Sequence, residues 1–372
     1  VYTEIVKILE GGLDGDREKV KNYAMVLAKS LDADGETALA RKVRRTLSSK
    51  KGTLAGLDSL GTQPVDSETR MGLIEVSMPL VQERDLIFNL STARVLDDFI
   101  AGFQKRDQLM KNGLAMSNSL LLYGPPGCGK TSTAERIASG VGLPLVTARL
   151  DGLVSSLLGS TAKNIRKVFD FAASRDCVLF LDEFDVIAKL RDDKNELGEL
   201  KRVVNSLLQN IDAFPHDNIL IAATNHQELL DSAIWRRFST VLSLDKPDSV
   251  TIRQLVRKFL ADVGGSALLN PSKGMDSFFE AFDGLSHSDI RTVIFSAARN
   301  AVIESRPRIT RSLVLKEIYF HLHHSFSDEK NMLEFLLAHG ATQQDVHSSL
   351  GISMRIIQQM NKRVAMNGEH DA

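Results

Sequence analysis

The chain has 372 residues, 43% hydrophobic and 25% charged, with a formal net charge of −1. That is the composition of an ordinary soluble protein, long enough for two or three domains. Near-neutral charge gives no overall attraction to nucleic acid or membrane, and no apolar run reaches the length of a membrane span. The cysteines, Cys128 and Cys177, sit in a glycine-rich loop and at the start of an apolar run, so neither belongs to a disulfide framework or a zinc site. The opening Val1-Tyr2-Thr3-Glu4 lacks the character of a secretory leader, and a reducing, cytoplasmic setting is expected.

Residues 1–48 read as a small helical module. Tyr23, Ala24, Leu27, Ala28 and Leu31 recur at helical spacing, and a second helix is expected from about Glu36 to Leu47. That helix carries Arg41, Lys42, Arg44 and Arg45, which read as a solvated face or as a polyanion site. Residues 49–68, rich in Gly, Ser and Lys and containing Pro64, read as a linker. A short apolar stretch, Leu73 to Leu80, and a helix near Ala93 to Gln104 open a central block, 69–246. Five apolar runs follow, at 119–123, 144–150, 177–181, 218–223 and 240–244, with helical patterns between most of them. This predicts an α/β fold with a parallel five-stranded sheet covered on both faces. Ligands of such sheets bind at the carboxyl ends of the strands. Beyond Pro247 the pattern turns all-helical, a lid subdomain over 247–324, in which Ser286 and Asp289 mark a helix start. Two or three more helices are expected over 325–372.

The organising motif is Gly124-Pro125-Pro126-Gly127-Cys128-Gly129-Lys130-Thr131, followed by Ser132, between the first apolar run and a helical stretch. Strand, glycine loop and helix in that order make a phosphate loop. Glycines let backbone N–H groups close around phosphate oxygens, and the helix points its positive end at the same oxygens. Lys130 is expected on the β- and γ-phosphates and Thr131 on Mg²⁺. The run Val178-Leu179-Phe180-Leu181 ends in Asp182-Glu183, and paired carboxylates at the end of a buried strand need a cation or a reaction to justify their desolvation. Asp182 is expected to hold Mg²⁺ and Glu183 to orient and polarise a water. Asn225, closing the next strand, is a candidate to help position that water. Arg236 and Arg237 are candidates to reach a γ-phosphate from a neighbouring subunit.

Taken together these residues resemble the AAA subfamily of AAA+ ATPases, over about Asp85 to His323. Gly124–Thr131 matches Walker A, Leu179–Glu183 Walker B, and Asn225 sensor 1. The stretch Asp231 to Phe238 resembles the second region of homology, with a doubled arginine similar to that of the katanin and spastin group. Asp212 resembles the intersubunit signalling position. Gly284 to Ile290 resembles the start of the lid helix that borders the adenosine; His287 there replaces a small glycine and is followed by Ser288. The resemblance implies ATP and Mg²⁺ as ligands and a ring-forming homo-oligomer, most often a hexamer, with nucleotide at the subunit interfaces.

Two segments bear on what the ATPase acts upon. The stretch Leu153 to Gly159 resembles the first pore loop, with Leu157 where an aromatic usually stands, followed by Leu158 and Gly159; leucine lacks an aromatic's flat, rigid surface. Residues 343–357 resemble a helix-turn-helix, with Val346, Leu350, Gly351, Ile352 and Ile357 at core and turn positions and Ser353, Met354, Arg355, Gln358 and Gln359 facing outward. Against that, residues 325–372 carry six acidic side chains to four lysines and arginines, poor for a phosphate-dominated affinity. The expectation is an ATPase that remodels or unfolds a protein substrate or serves a partner effector. The alternatives are a DNA-associated ATPase and an ATP-dependent assembly switch.

Overall fold

In a computed structural model of the chain, the described residues are 63–66, 72–79, 86–114, 118–150, 158–186, 199–215, 218–270, 274–306, 308–323 and 329–360, with isolated positions between 7 and 31. Among the last, Ala24, Ala28 and Leu31 are helical and buried, as their spacing predicts. The basic stretch Arg41 to Arg45, most of the linker and the predicted pore residue Leu157 lie outside the described residues.

The five expected parallel strands are present: β2 (Ser119–Tyr123), β3 (Leu145–Arg149), β4 (Val178–Asp182), β5 (Ile219–Thr224) and β6 (Thr240–Ser243). A sixth, β1 (Glu75–Ser77), pairs antiparallel with β3, and the order is β1-β3-β4-β5-β2-β6. This edge strand comes from the apolar stretch Leu73 to Leu80, too short to be told from a loop by periodicity. The last described residues of the predicted linker are also built into the body. Val65 bridges Gly72, and the buried Asp66 accepts from Asn164 Nδ2 at 2.6 Å.

Continuous apolar strands are needed because both faces of the sheet are covered. Leu120 and Leu122 of β2, with Phe180 of β4 and Ile221 of β5, face α1 (Leu90–Gln104) and α3 (Lys130–Val141), while α2 (Arg106–Lys111) trails α1. Leu121, Leu179 and Ala222, one position along, face α4 (Leu158–Ala173) and α5 (Glu199–Ala213). The alternation is the two-residue strand period, and it divides one run of leucines between two cores. Leu158 and Gly159 of the predicted pore loop are backbone positions at the start of α4.

After α6 (Ser232–Trp235) come the helices α7 (Ser249–Asp262), α8 (Met275–Glu280), α9 (His287–Ile303), α10 (Arg311–His323), α11 (Glu329–Ala338), α12 (Gln343–Leu350) and α13 (354–360). The predicted boundary near residue 324 does not divide two cores. Met332, Leu336, Val346 and Ile357 share one buried cluster with Ile294, Leu315 and Ile318 of the lid. Polar bonds reinforce it, because Asp345 Oδ2 accepts from both the backbone N (3.0 Å) and Oγ (2.7 Å) of Ser312 at the start of α10. Gly274 and Gly340 also meet backbone to backbone: a Cβ on Gly340 would lie 2.3 Å from the Gly274 carbonyl oxygen. In the stretch that resembles a helix-turn-helix, α12 and α13 are separated by residues 351–353. Gly351 ends α12 in the left-handed region (φ 69°), and His347 spans the turn through Nδ1 to the Ile352 carbonyl at 2.7 Å.

Candidate nucleotide site

The site forms where β2, β4 and β5 end, with the lid folded against it. The loop after β2 turns on three glycines of positive φ: Gly124 (140°), Gly127 (76°) and Gly129 (91°). Space matters at two of them. A Cβ on Gly124 would lie 2.3 Å from the Leu244 carbonyl oxygen, and one on Gly127 would lie 2.4 Å from Ser286 Oγ. Gly129 is the N-cap of α3 and carries no side chain to satisfy the helix's first N–H groups, which are left for a ligand's oxygens. Cys128 is buried in the body, Pro125 and Ser132 are half-buried, and Pro126, Gly127 and Thr131 are exposed.

Lys130 is buried, and its Nζ donates to the carbonyls of Gly124 (2.7 Å) and Pro125 (2.9 Å). Two of its three donors thus fix the ammonium inside the loop. Burial pulls its pKa below the usual lysine range, opposed by Cys128 and by the Asp182 and Asp185 carboxylates. Thr131 Oγ1 lies 3.5 Å from Asp182 Oδ2, so the predicted Mg²⁺ ligands from α3 and β4 meet. Among the described residues there is no cluster of three His, Cys, Asp or Glu side chains that could hold a metal by themselves. One carboxylate beside one hydroxyl fits Mg²⁺, which keeps its waters and takes substrate phosphates as ligands.

Glu183 follows at φ 56°, one of two non-glycine residues in the left-handed region among the described residues. Such backbone costs about 1–3 kcal/mol and persists where surroundings fix it. Here they do: Asp182 Oδ1 accepts from the Glu183 N–H (2.9 Å), and the next residue, Phe184, is buried and donates its N–H to the Ala223 carbonyl (2.8 Å). Glu183 Oε1 lies 3.6 Å from a guanidinium nitrogen of Arg149, which ends β3 opposite Asp182. Asn225 is exposed just past β5. Thr224 beneath it is anchored, donating to the buried Asp185 (3.3 Å) and accepting from His226 N (3.0 Å). Arg149 and Asp185 escaped the sequence reading. A charged residue closing an apolar strand was the available signal for Arg149, whereas Asp185 follows an acidic pair that drew the attention.

The adjacent arginines are in different situations. Arg237 grips Asp212 with both arms, Nε to Oδ1 at 2.8 Å and Nη2 to Oδ2 at 2.9 Å, and Nη1 donates to the Ala233 carbonyl at 2.7 Å. Arg236 is exposed; its backbone N–H donates to the Ser232 carbonyl (3.3 Å), while its guanidinium makes no hydrogen bond or ion pair among the described residues. On the lid side, Ser286 caps α9 in a reciprocal box with Asp289, the start that the sequence predicts. The exposed Ser288 donates its N–H to the Gly127 carbonyl (3.1 Å), and Lys246 Nζ reaches the Gly284 carbonyl (2.6 Å). His287 lines a cleft with Phe88, Asn89, Thr92, Cys128 and Lys246. Burial lowers its pKa.

Residues 120–246, which hold the phosphate loop, the acidic pair and both arginines, match the family described as "ATPase family associated with various cellular activities (AAA)". An uncharacterized AAA family ATPase, y4kL, of Sinorhizobium fredii is 39% identical over 296 residues, covering 79% of this chain and 88% of that protein. ATP-dependent zinc metalloprotease FtsH 2 of Sorangium cellulosum is 28% identical over 260 residues, 68% of this chain but 42% of that protein. Proteasome-activating nucleotidase 2 of Haloferax volcanii is 31% identical over 205 residues, 53% of this chain and 49% of its own. The last two matches span less than half of those relatives. The likeness to the first covers more than three quarters of both chains, and with the site geometry it leads to one conclusion: this chain belongs to the AAA family of ATPases.

Proposed function

We propose that this chain binds ATP with Mg²⁺ in the cleft between sheet and lid and hydrolyses it within a homo-oligomeric ring, hexameric as its family resemblance implies, to remodel a protein substrate. One observation carries the nucleotide part: Lys130, the uncapped start of α3 and the Thr131–Asp182 pair converge at one loop. Loop N–H groups and Lys130 bind the phosphates, and Asp182 with Thr131 holds the metal. Bound there, Mg²⁺ supplies positive charge to the phosphate oxygens. Glu183 takes a proton from the attacking water, and Asn225 orients that water. Ser288 and His287 border the base.

The ring part rests on Arg236. Its exposed guanidinium serves no group among the described residues, which suits a cation that completes a neighbour's site. Arg237, engaged with Asp212, positions the turn that carries it. Two relatives are named as a protease and as a proteasome activator, which favours protein as the substrate; this chain has no His-Glu-x-x-His and would need a partner for proteolysis. The deciding experiment measures ATP turnover with and without an unfolded protein. Stimulation supports remodelling, and none over a wide concentration range counts against it. A second reading, duplex DNA contact, is favoured by the exposed Ser353, Arg355, Gln358 and Gln359 on and before α13. Salt-dependent DNA binding lost in Arg355→Ala would select it. No helix among the described residues is long and apolar enough to cross a membrane.

A further inference from the structure

Asp185 is a charged side chain that the proposed chemistry does not use. It is 4% exposed, and Thr224, whose hydroxyl donates to it, is fully buried. A carboxylate taken that deep is costly unless donors or cations meet it. Its place in the chain shows what it joins. The ladder between β4 and β5 ends with Leu181 opposite Ala222. Beyond that point two more bonds connect the same segments: Phe184 N–H to the Ala223 carbonyl (2.8 Å), and Thr224 Oγ1 to Asp185 Oδ1 (3.3 Å). Glu183 stands immediately before this pair of bonds, and Asn225 immediately after it.

The direction of the hydroxyl is fixed. Thr224 Oγ1 accepts from His226 N–H (3.0 Å), which closes a turn around Asn225, so its single hydrogen goes to Asp185. The series His226 N–H, Thr224 O–H and Asp185 carboxylate thus holds the residues on both sides of Asn225. Asn225 is exposed, and its side chain makes no hydrogen bond among the described residues, so the turn alone sets where it points.

We infer that Asp185 is a positioning residue for hydrolysis: through the Thr224 hydroxyl it fixes the turn that carries Asn225 at a set distance from Glu183. This rests on the reading of Glu183 and Asn225 as the pair that handles the attacking water. Nucleotide binding does not need the bond, because Lys130, Thr131 and the loop N–H groups lie on a different segment.

Thr224→Val keeps the branched shape and the Asp185 charge and removes the hydroxyl. In steady-state ATP hydrolysis by the full chain, kcat should fall about 10- to 100-fold, the scale of a misplacement of up to one ångström. KM and the calorimetric affinity for ADP should stay within about twofold, since only the hydrolytic step is touched. Thr224→Ser restores the hydroxyl and should recover kcat to within about threefold of the parent. Asp185→Ala should lose kcat as Thr224→Val does, and the double variant should be no slower than the worse single one, because both act through one bond. Thermal melts establish that each variant is folded. Should Asp185→Ala not fold, the contrast of Thr224→Val with Thr224→Ser decides, because Asp185 is the acceptor of that hydroxyl. Parental kcat in folded Thr224→Val, an equal loss in Thr224→Ser, or losses that multiply in the double variant each overturn the inference. Glu183→Gln, run alongside, separates the two readings. Parental turnover there refutes the water pair itself, whereas an inactive Glu183→Gln beside a fully active Thr224→Val overturns the role of Asp185 alone.

Discussion

Replacing the two adjacent arginines one at a time separates a charge that works across a subunit boundary from one that works within its own chain. Arg237→Ala removes two bonds to Asp212 and one to the Ala233 carbonyl. The Arg237 side chain is 25% exposed and that of Asp212 is 52%, so water screens the pair and the figure for a buried ion pair does not apply. A coupling of about 1 kcal/mol is expected, the upper end for exposed pairs, because the geometry is bidentate. The carbonyl bond adds about 1 kcal/mol. Arg237→Ala should then cost about 2 kcal/mol, or roughly 4–8 °C in melting temperature for a domain of this size. Arg236→Ala removes no bond seen among the described residues and should change stability by less than about 0.5 kcal/mol. It should nonetheless lose about 10³-fold or more in turnover while still binding nucleotide. The assays are thermal melts, steady-state ATP hydrolysis and a double-mutant cycle of Arg237→Ala with Asp212→Ala, whose coupling should shrink in high salt. Parental hydrolysis by Arg236→Ala, beside an inactive Arg237→Ala with an unchanged melt, would reverse the assignment. Zero coupling in the cycle would remove the positioning role of Arg237.

Other expectations use different parts of the molecule. Glu183→Gln should bind ATP and lose hydrolysis, while Lys130→Ala should lose binding; mixing Glu183→Gln with Arg236→Ala should restore partial turnover, since an Arg236→Ala subunit keeps its own Glu183 and a Glu183→Gln neighbour lends it the arginine, and no rescue in subunits shown to mix would refute a shared site. Gly340→Ala should destabilise by about 2–4 kcal/mol, because it forces a Cβ against the Gly274 backbone at φ 84°, and a melt within 1 °C of the parent would contradict that contact. The half-buried His287, its ring nitrogens shielded from water, makes stability pH-dependent. Its folded pKa lies below the ordinary 6.5, so between the two values the unfolded chain binds more protons and stability falls as pH drops through that range, levelling off below the folded pKa. His287→Gly should flatten that part of the melting-temperature profile. Cys128, Asp245, Lys246 and Asp248 line the same cleft and are kept in the variant, so the comparison isolates the imidazole.

The sequence by itself determined the frame of the candidate site, because each part of it is local. A phosphate loop is fixed by glycine spacing between a strand and a helix. The acids fall at a strand end because the apolar run stops there, and the start of α9 is written in Ser286 and Asp289, three residues apart. The five parallel strands are legible for the same reason, since continuous apolar runs in a chain of alternating helical patterns leave few other arrangements. What lies between distant segments was decided only by the tertiary structure. Strand β1 exists because the edge of β3 was open to pair, and nothing in Glu75–Ser77 announces that. The helices after residue 324 join the lid's core because Val346 and Ile357 close on apolar side chains from α9 and α10, contacts that no periodicity specifies. The two neighbouring arginines read as equivalents until Asp212, 25 residues earlier, is brought within reach of one of them. Arg149 meets Glu183, and His287 loses every partner, through register and closure, which depend on the whole fold.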